Sequence, residues 1–131
     1  MSAVASAEGL GAFPVSRVVL GGGLIVEDLR IGDGPLCEGP DATIAVHYRG
    51  SLAATGEVFD ATEPGEAVEL PLGKLIKGWK QGVPGMRVGG VRRLTIPAAL
   101  AYGDRGLVQG GQVVIPPRAD LVFEIELMGV R

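Results

Sequence analysis

Two stretches in which apolar and polar residues alternate constrain the fold of this chain most. They are "TIAVHYRGSL", residues 43–52, and "LVFEIEL", residues 121–127. Apolar positions two apart share one face: Ile44, Val46, Tyr48 and Leu52 in the first stretch, and Leu121, Phe123, Ile125 and Leu127 in the second. A period of two with one apolar face is typical of half-buried antiparallel strands. We therefore predict an antiparallel sheet, with Glu124 and Glu126 turned outward.

Shorter strands and one helix complete the predicted fold. Strands are expected at 24–31, 67–70 and 91–96, separated by the turn sequences "GDGP", "TGE", "EPGE" and "PGMRVGG". Only "LIKGWKQGV" indicates a helix, because its apolar residues fall on one face at a 3.6-residue period. The helix is short, since Gly82, Pro84 and Gly85 stop it. The predicted class is α+β, an antiparallel sheet with one short helix on its apolar face.

The first 23 residues differ from the rest in composition. They are small and mixed in polarity, and they end in three glycines that are typical of a hinge. We predict a flexible N-terminal extension over 1–23 and one domain over 24–131, since 131 residues make only one core of ordinary size. An edge strand over 13–20 is the less favoured alternative, because Pro14 and the flanking glycines oppose it.

Composition excludes several classes of function. A net charge of -3 gives no basic field for nucleic acid. One cysteine and one histidine allow neither a disulfide within the chain nor a zinc site built from several such ligands, so we expect no metal and no cofactor. No apolar run reaches the ~18 residues of a membrane span. The N-terminus does not resemble a secretory signal, and we expect a cytoplasmic protein.

Covalent catalysis has little support in the residues. His47 lies on the polar face of its strand, and Cys37 lies in a turn region, so structural roles are favoured for both. What remains is a set of aromatic and aliphatic residues with few polar atoms: Tyr48, Phe59, Asp60, Leu75, Ile76, Trp79, Tyr102, Ile115 and Phe123. Each could be a core residue, and Asp60 could cap a turn. Together they fit an apolar pocket with a hydrogen-bonding rim.

The motifs "VHYRGSL", "GEVFDAT", "VELPLGKLIKGWKQGV", "MRVGGVRRLTIPAALAYG" and "VIPPRADLVFEIELMGV" carry a family resemblance. In this order and spacing they resemble the FKBP-type peptidyl-prolyl cis-trans isomerases, from about Leu24 to the end. The resemblance implies a twisted antiparallel sheet wrapped around one short helix. It implies an enzyme that accelerates rotation about X-Pro bonds during protein folding, without a cofactor.

The resemblance also implies a role for each pocket residue. Those implied to be catalytic are Asp60, Tyr102, Ile76 and Trp79; those implied to bind substrate are Tyr48, Phe59, Val68, Leu75, Ile115 and Phe123. Trp79 would form the floor, Ile76 would give a backbone N–H and Tyr102 a phenol O–H to ligand carbonyls, and Asp60 would lie beside the twisted amide. The glycine-rich loop from Gly103 to Val114 would be a flap over the slot.

Two departures and two alternatives accompany this interpretation. Leu100 stands where many relatives carry a tyrosine and Val68 where some carry phenylalanine, so the rim is expected to be less aromatic. Besides an isomerase, a non-catalytic module that binds proline peptides or macrolides fits the same slot. A third hypothesis is a structural domain delivered to an assembly by its N-terminal arm. The expected partners are X-Pro polypeptides and FK506-like or rapamycin-like macrolides, and we expect a monomer.

Overall fold

The computed structural model, which describes residues 14–131, contains nine strands. The strands are β1 (Ser16–Val19), β2 (Ile25–Arg30), β3 (Thr43–Leu52), β4 (Val58–Ala61), β5 (Val68–Pro71), β6 (Val91–Ile96), β7 (Leu107–Gln109), β8 (Gln112–Ile115) and β9 (Leu121–Val130). One α-helix, α1 (Lys77–Gly82), accompanies them, together with three short 3-10 helices at Gly21–Gly23, Leu72–Lys74 and Ala98–Leu100. The predicted α+β class, antiparallel with one short helix, is confirmed.

The main sheet joins parts of the chain that are far apart in sequence. Its strand order is β1-β2-β6-β9-β3-β4, with β5 also paired to β3, and every pairing is antiparallel. β9 pairs with β6 on one side through residues 121–126, and with β3 on the other side along nearly its whole length. β9 therefore connects the two halves of the sheet.

Two glycines let α1 lie unusually close to the sheet. A Cβ atom added to Gly78 would come within 2.5 Å of Ile96, and one added to Gly82 within 2.7 Å of Leu94. Glycine costs about 1 kcal/mol relative to alanine within a helix. Here the close packing of the helix against β6 offsets that cost.

The helix side of the sheet forms the core, as the alternation predicts. Its fully buried side chains include Leu24, Ile44, Val46, Leu94, Ile96, Leu121, Ile125 and Leu127, joined by Leu72 and Val83 from the chain around α1. The apolar positions of the two long alternating stretches thus share one packed interior.

The opposite face of the sheet bears out one prediction and adds a feature to it. Glu124 and Glu126 turn away from the core as expected, yet they are only 8% and 7% exposed. Long arginine side chains cover them: Arg49 Nη2 lies 3.2 Å from Glu124 Oε1, and Arg30 Nη2 lies 2.9 Å from Glu126 Oε2. The two glutamates do face away from the core, but the arginines keep them from water.

A row of alternating charges crosses this outer face. We call it the charge row; its members are Arg17, Glu27, Arg93, Glu124 and Arg49, which are register partners across β1, β2, β6, β9 and β3. Ion pairs join Arg17 to Glu27 at 3.9 Å and Arg93 to Glu27 at 3.0 Å. Opposite charges placed directly across neighbouring strands are favourable pairs.

The sheet also begins earlier than predicted. β1 pairs with β2 through residues 16–19, within the stretch predicted to be a flexible extension, so the less favoured edge strand is what the structure shows there. Pro14 does not prevent it, because proline precedes the first hydrogen-bonded residue of the strand. The earlier part of the predicted extension, residues 1–13, lies outside the described residues.

The predicted flap contains a hairpin rather than an irregular loop. β7 and β8 pair with each other in a separate two-stranded sheet, in which Val108 lies opposite Val113. Gly110 and Gly111 form the connection with φ of 58° and 79°. Positive φ at both central residues is the geometry of a two-residue hairpin turn, which glycine adopts readily.

Candidate active site

A cavity of about 360 Å³ opens between α1, β3, β4 and β9 on the helix side of the sheet. Its lining consists of Tyr48, Phe59, Asp60, Leu70, Lys74, Leu75, Ile76, Trp79, Tyr102 and Phe123. This volume lies at the lower end of the range for small-molecule sites, and a mostly apolar lining with a few polar groups is typical of them.

Four aromatic rings form the floor and inner walls. Trp79 is 3% exposed, and its ring centroid lies 5.4 Å from that of Tyr48 and 5.3 Å from that of Phe123. Phe59 contacts Phe123 at 5.6 Å with an interplanar angle of 87°. Edge-to-face pairs of this kind contribute about 0.5–1.5 kcal/mol each beyond area burial, so the rings hold one another in place.

Gly50 on β3 makes room for this aromatic arrangement. A Cβ atom there would lie 2.6 Å from Phe123 Cε1 and 2.8 Å from Phe59 Cζ. Any larger residue would push the two rings apart. The glycine that interrupts "VHYRGSL" is therefore part of how the cavity keeps its shape.

Asp60 is fixed by the tyrosine opposite it. The Tyr48 O–H donates to Asp60 Oδ2 at 2.6 Å, a short charge-assisted hydrogen bond. Burial raises the pKa of the Tyr48 phenol, and the hydrogen bond and the charge of Asp60 raise it further. Tyr48 thus keeps its proton and holds one carboxylate oxygen of Asp60 in place.

Two hydrogen-bond donors at the cavity have no acceptor among residues 14–131. One is the Tyr102 O–H, whose pKa is raised by burial and then by the charge of Asp60, so that it remains protonated. The other is the backbone N–H of Ile76, which precedes α1 in an extended conformation. Both are free to donate to a carbonyl oxygen of a bound molecule.

Eight of the ten residues predicted for the site line the cavity. Ile115 does not: it is 1% exposed and belongs to the core beneath the hairpin. Val68 does not either: it is 37% exposed, and Leu70, two residues further along β5, lines the cavity in its place. Leu100 is absent from the lining as well, and it packs on the core near Gly22.

Sequence reasoning missed two lining residues, Leu70 and Lys74. Leu70 lies on the same face of β5 as Val68, so the period of two cannot tell which of them lines the cavity. Lys74 ends the 3-10 helix that leads directly into Leu75 and Ile76. Its position immediately before Leu75 and Ile76, two predicted site residues, is the sequence feature that could have identified it.

Cys37 and His47, for which a role in covalent catalysis was disfavoured, do not line the cavity. Cys37 is buried, and burial is the main reason that the pKa of its thiol is raised, which makes it a poor nucleophile. His47 is buried on the outer face, where its Nδ1 lies 3.4 Å from Thr62 Oγ1.

Over residues 14–131 no group of three or more acidic, histidine or cysteine side chains is arranged to hold a metal ion. Nor does any helix there have the length and apolarity to cross a membrane.

Comparisons with known proteins agree with this geometry. Residues 37–128 match the family model described as FKBP-type peptidyl-prolyl cis-trans isomerase. Over 110 residues the chain is 48% identical to the peptidyl-prolyl cis-trans isomerase FPR2 of Saccharomyces cerevisiae, covering 82% of this chain and 78% of that protein. It is 46% identical to the FK506-binding protein of Streptomyces anulatus, covering 82% and 86%.

A solved structure shows the same fold. The peptidyl-prolyl cis-trans isomerase of Pseudomonas syringae superimposes with a TM-score of 0.77 at 32% sequence identity, covering 98% of this chain and 90% of that one. Other relatives are much longer proteins, of which this chain spans about a quarter.

Proposed function

This chain belongs to the FKBP-type peptidyl-prolyl cis-trans isomerase family, and we propose that its aromatic cavity is the site at which it accelerates rotation about X-Pro peptide bonds. The observation that carries the proposal is the pairing of a cavity floored by Trp79 with two unengaged donors, the Tyr102 O–H and the Ile76 N–H. A proline ring needs an apolar slot, and the carbonyl groups on either side of it need donors.

The reaction needs no covalent intermediate. Rotation about the amide bond faces a barrier of about 18–20 kcal/mol, because resonance gives the bond partial double-bond character. Resonance also places negative charge on the carbonyl oxygen, so the planar amide is more polar than the twisted one. A water-excluding apolar cavity therefore disfavours the planar form relative to the transition state. Each tenfold acceleration corresponds to about 1.4 kcal/mol of that difference.

The polar groups of the cavity have distinct roles in this proposal. The Ile76 N–H and the Tyr102 O–H hold carbonyl oxygens of the substrate and fix its orientation. Asp60, held by Tyr48, lies beside the rotating amide. When resonance is broken the carbonyl carbon becomes more electron-poor, and a nearby carboxylate stabilises that charge distribution.

Partners and location follow from the same proposal. X-Pro segments of polypeptides are the proposed substrates, and a macrolide of the FK506 type is a proposed ligand, supported by the name of the Streptomyces relative. The cytoplasm, the monomeric state and the role of residues 1–23 stay predictions from the sequence.

The test is NMR exchange between the cis and trans forms of a Leu-Pro peptide at catalytic concentrations of protein. We expect wild type to accelerate exchange, and Asp60→Ala and Tyr102→Phe to lower kcat/KM by about tenfold or more, since Asp60 acts at the rotating amide and Tyr102 orients the substrate. Asp104→Ala is the matched control, because Asp104 is exposed and does not line the cavity.

Two results would contradict the proposal. One is wild-type protein that binds the peptide without accelerating exchange, which would favour the non-catalytic binding module. The other is an equal loss of activity in Asp60→Ala and Asp104→Ala, which would place the effect outside the cavity.

A further inference from the structure

Lys74 is a charged side chain at the cavity for which the mechanism above has no use. It lines the cavity and is exposed. Within the described part of the chain its ammonium group has no carboxylate partner, whereas Arg17, Arg30, Arg49, Arg92, Arg93 and Arg131 all pair with one. The other charged residue of the lining, Asp60, already accepts a hydrogen bond from Tyr48. Lys74 is therefore a cation available to a bound molecule.

The backbone around Lys74 is anchored, so the lysine begins at a fixed point. Leu72 is fully buried, and its N–H donates to the Ala42 carbonyl at 3.0 Å. The Leu75 N–H donates back to the Leu72 carbonyl at 3.1 Å. Lys74 thus stands between a buried anchor and the Leu75 side chain that lines the cavity, and it lines the same cavity.

A substrate in this cavity presents more than proline. With the proline ring over the buried Trp79, the side chain of the residue before proline would meet the exposed part of the lining, which includes Lys74. The net charge of -3 does not cancel this local attraction, because exposed charges more than about 8 Å apart are largely screened at physiological salt.

We propose that Lys74 is a specificity-determining residue that gives this isomerase a preference for substrates with a carboxylate side chain on the residue immediately before the proline. The inference rests on the proposed function of the cavity and adds to it the class of segment preferred. An exposed ion pair of this kind changes binding by about two- to five-fold.

The experiment compares two peptides that differ only in charge, Ala-Glu-Pro-Phe and Ala-Gln-Pro-Phe, by the ratio of their kcat/KM values in NMR exchange. We expect a Glu-to-Gln ratio of about two to five for wild type. Lys74→Glu should bring that ratio below one. Raising the salt concentration to about 0.5 M should bring the wild-type ratio close to one, because the pair is exposed.

Lys77→Glu is the matched control. It makes the same charge change three residues away, at an exposed residue outside the cavity lining, and should leave the ratio as in wild type. A ratio that is the same in wild type and Lys74→Glu, or that falls equally in Lys77→Glu, overturns the inference. A Leu-Pro peptide measured in the same experiment separates the two proposals. If wild type accelerates its exchange but the Glu-to-Gln ratio does not change in Lys74→Glu, only the inference about Lys74 fails. If wild type does not accelerate its exchange, both proposals fail.

Discussion

The two faces of the main sheet bury side chains by different means. On the helix side, apolar residues pack to zero exposure and leave one aromatic cavity. On the outer side, the charge row and the Arg30–Glu126 pair bury carboxylates beneath arginines. Burial of apolar area is strongly favourable. For a buried ion pair, the free-energy cost of lost hydration is about as large as the gain from attraction between the charges. Stability is therefore expected to depend mainly on the helix side, which also holds the proposed catalytic cavity, and less on the ion pairs of the outer side.

Leu94→Ala is expected to have the largest effect among the substitutions that test the difference between the two faces. Leu94 is fully buried on β6 and packs against Gly82 of α1, so truncation leaves a cavity and should lower the free energy of unfolding by about 2–5 kcal/mol. Thr95→Ala, the next residue on the same strand, changes the other face and should cost less than about 1 kcal/mol. Urea denaturation measures both. Equal losses would contradict the difference between the faces.

Gly78→Ala sharpens the comparison by adding atoms where the helix meets the sheet. Alanine normally stabilises a helix relative to glycine. Here its Cβ atom would fall 2.5 Å from Ile96, so we expect a loss of about 1–3 kcal/mol in the free energy of unfolding. Gly39→Ala is the control, since no atom lies within 4 Å of its added Cβ. A stabilised Gly78→Ala protein, measured by thermal unfolding, would show that the helix can move away at little cost.

Glu124→Gln gives the smallest effect and tests the charge row. Burial raises the pKa of Glu124 above its ordinary value of 4.5, and the charges of Arg49 and Arg93 only partly oppose this. The folded protein therefore holds this proton more tightly than the unfolded chain does. The resulting stability is complete below pH 4.5 and is lost as the pH rises through the folded-state pKa.

Glutamine cannot titrate, so the pH series isolates this group. The stability of wild type relative to Glu124→Gln should fall between pH 4 and pH 7, as measured by urea denaturation. The exposed Glu38→Gln serves as the control for removal of a surface carboxylate. A difference that instead rises with pH would mean that the arginines outweigh the desolvation of Glu124.

The sequence predicts the sheet and the helix because these depend on local pattern, whereas the residues of the cavity are predicted by the family resemblance. A period of two identifies which residues of β3 and β9 share a face, and Gly82 with Pro84 and Gly85 marks the end of α1. The same alternation cannot tell whether a polar face meets water, because the arginines that cover Glu124 come from strands distant in sequence. Burial of the two glutamates was therefore missed.

The remaining differences also have physical reasons. The predicted flap was described only as a glycine-rich loop, although "VQGGQV" carries the Gly-Gly signal of a tight hairpin turn between two valines. Ile115 was assigned to the cavity by resemblance, but it is 1% exposed and packs in the core without lining the cavity. Leu70 rather than Val68 lines the cavity because β5 meets the cavity near its C-terminal end. Alternation tells which face a residue is on, but not how far along the strand the cavity lies.

The central position of β9 has a consequence for the order in which the molecule can be assembled on the ribosome. Every other strand of the sheet is synthesised before it, yet without it β1-β2-β6 and β3-β4-β5 share no backbone hydrogen bonds in this sheet. The cavity also lacks Phe123 until β9 arrives. A nascent chain can thus form two separate groups of paired strands but no complete cavity, and the proposed active site would be completed in a single late step when Leu121–Val130 inserts between them.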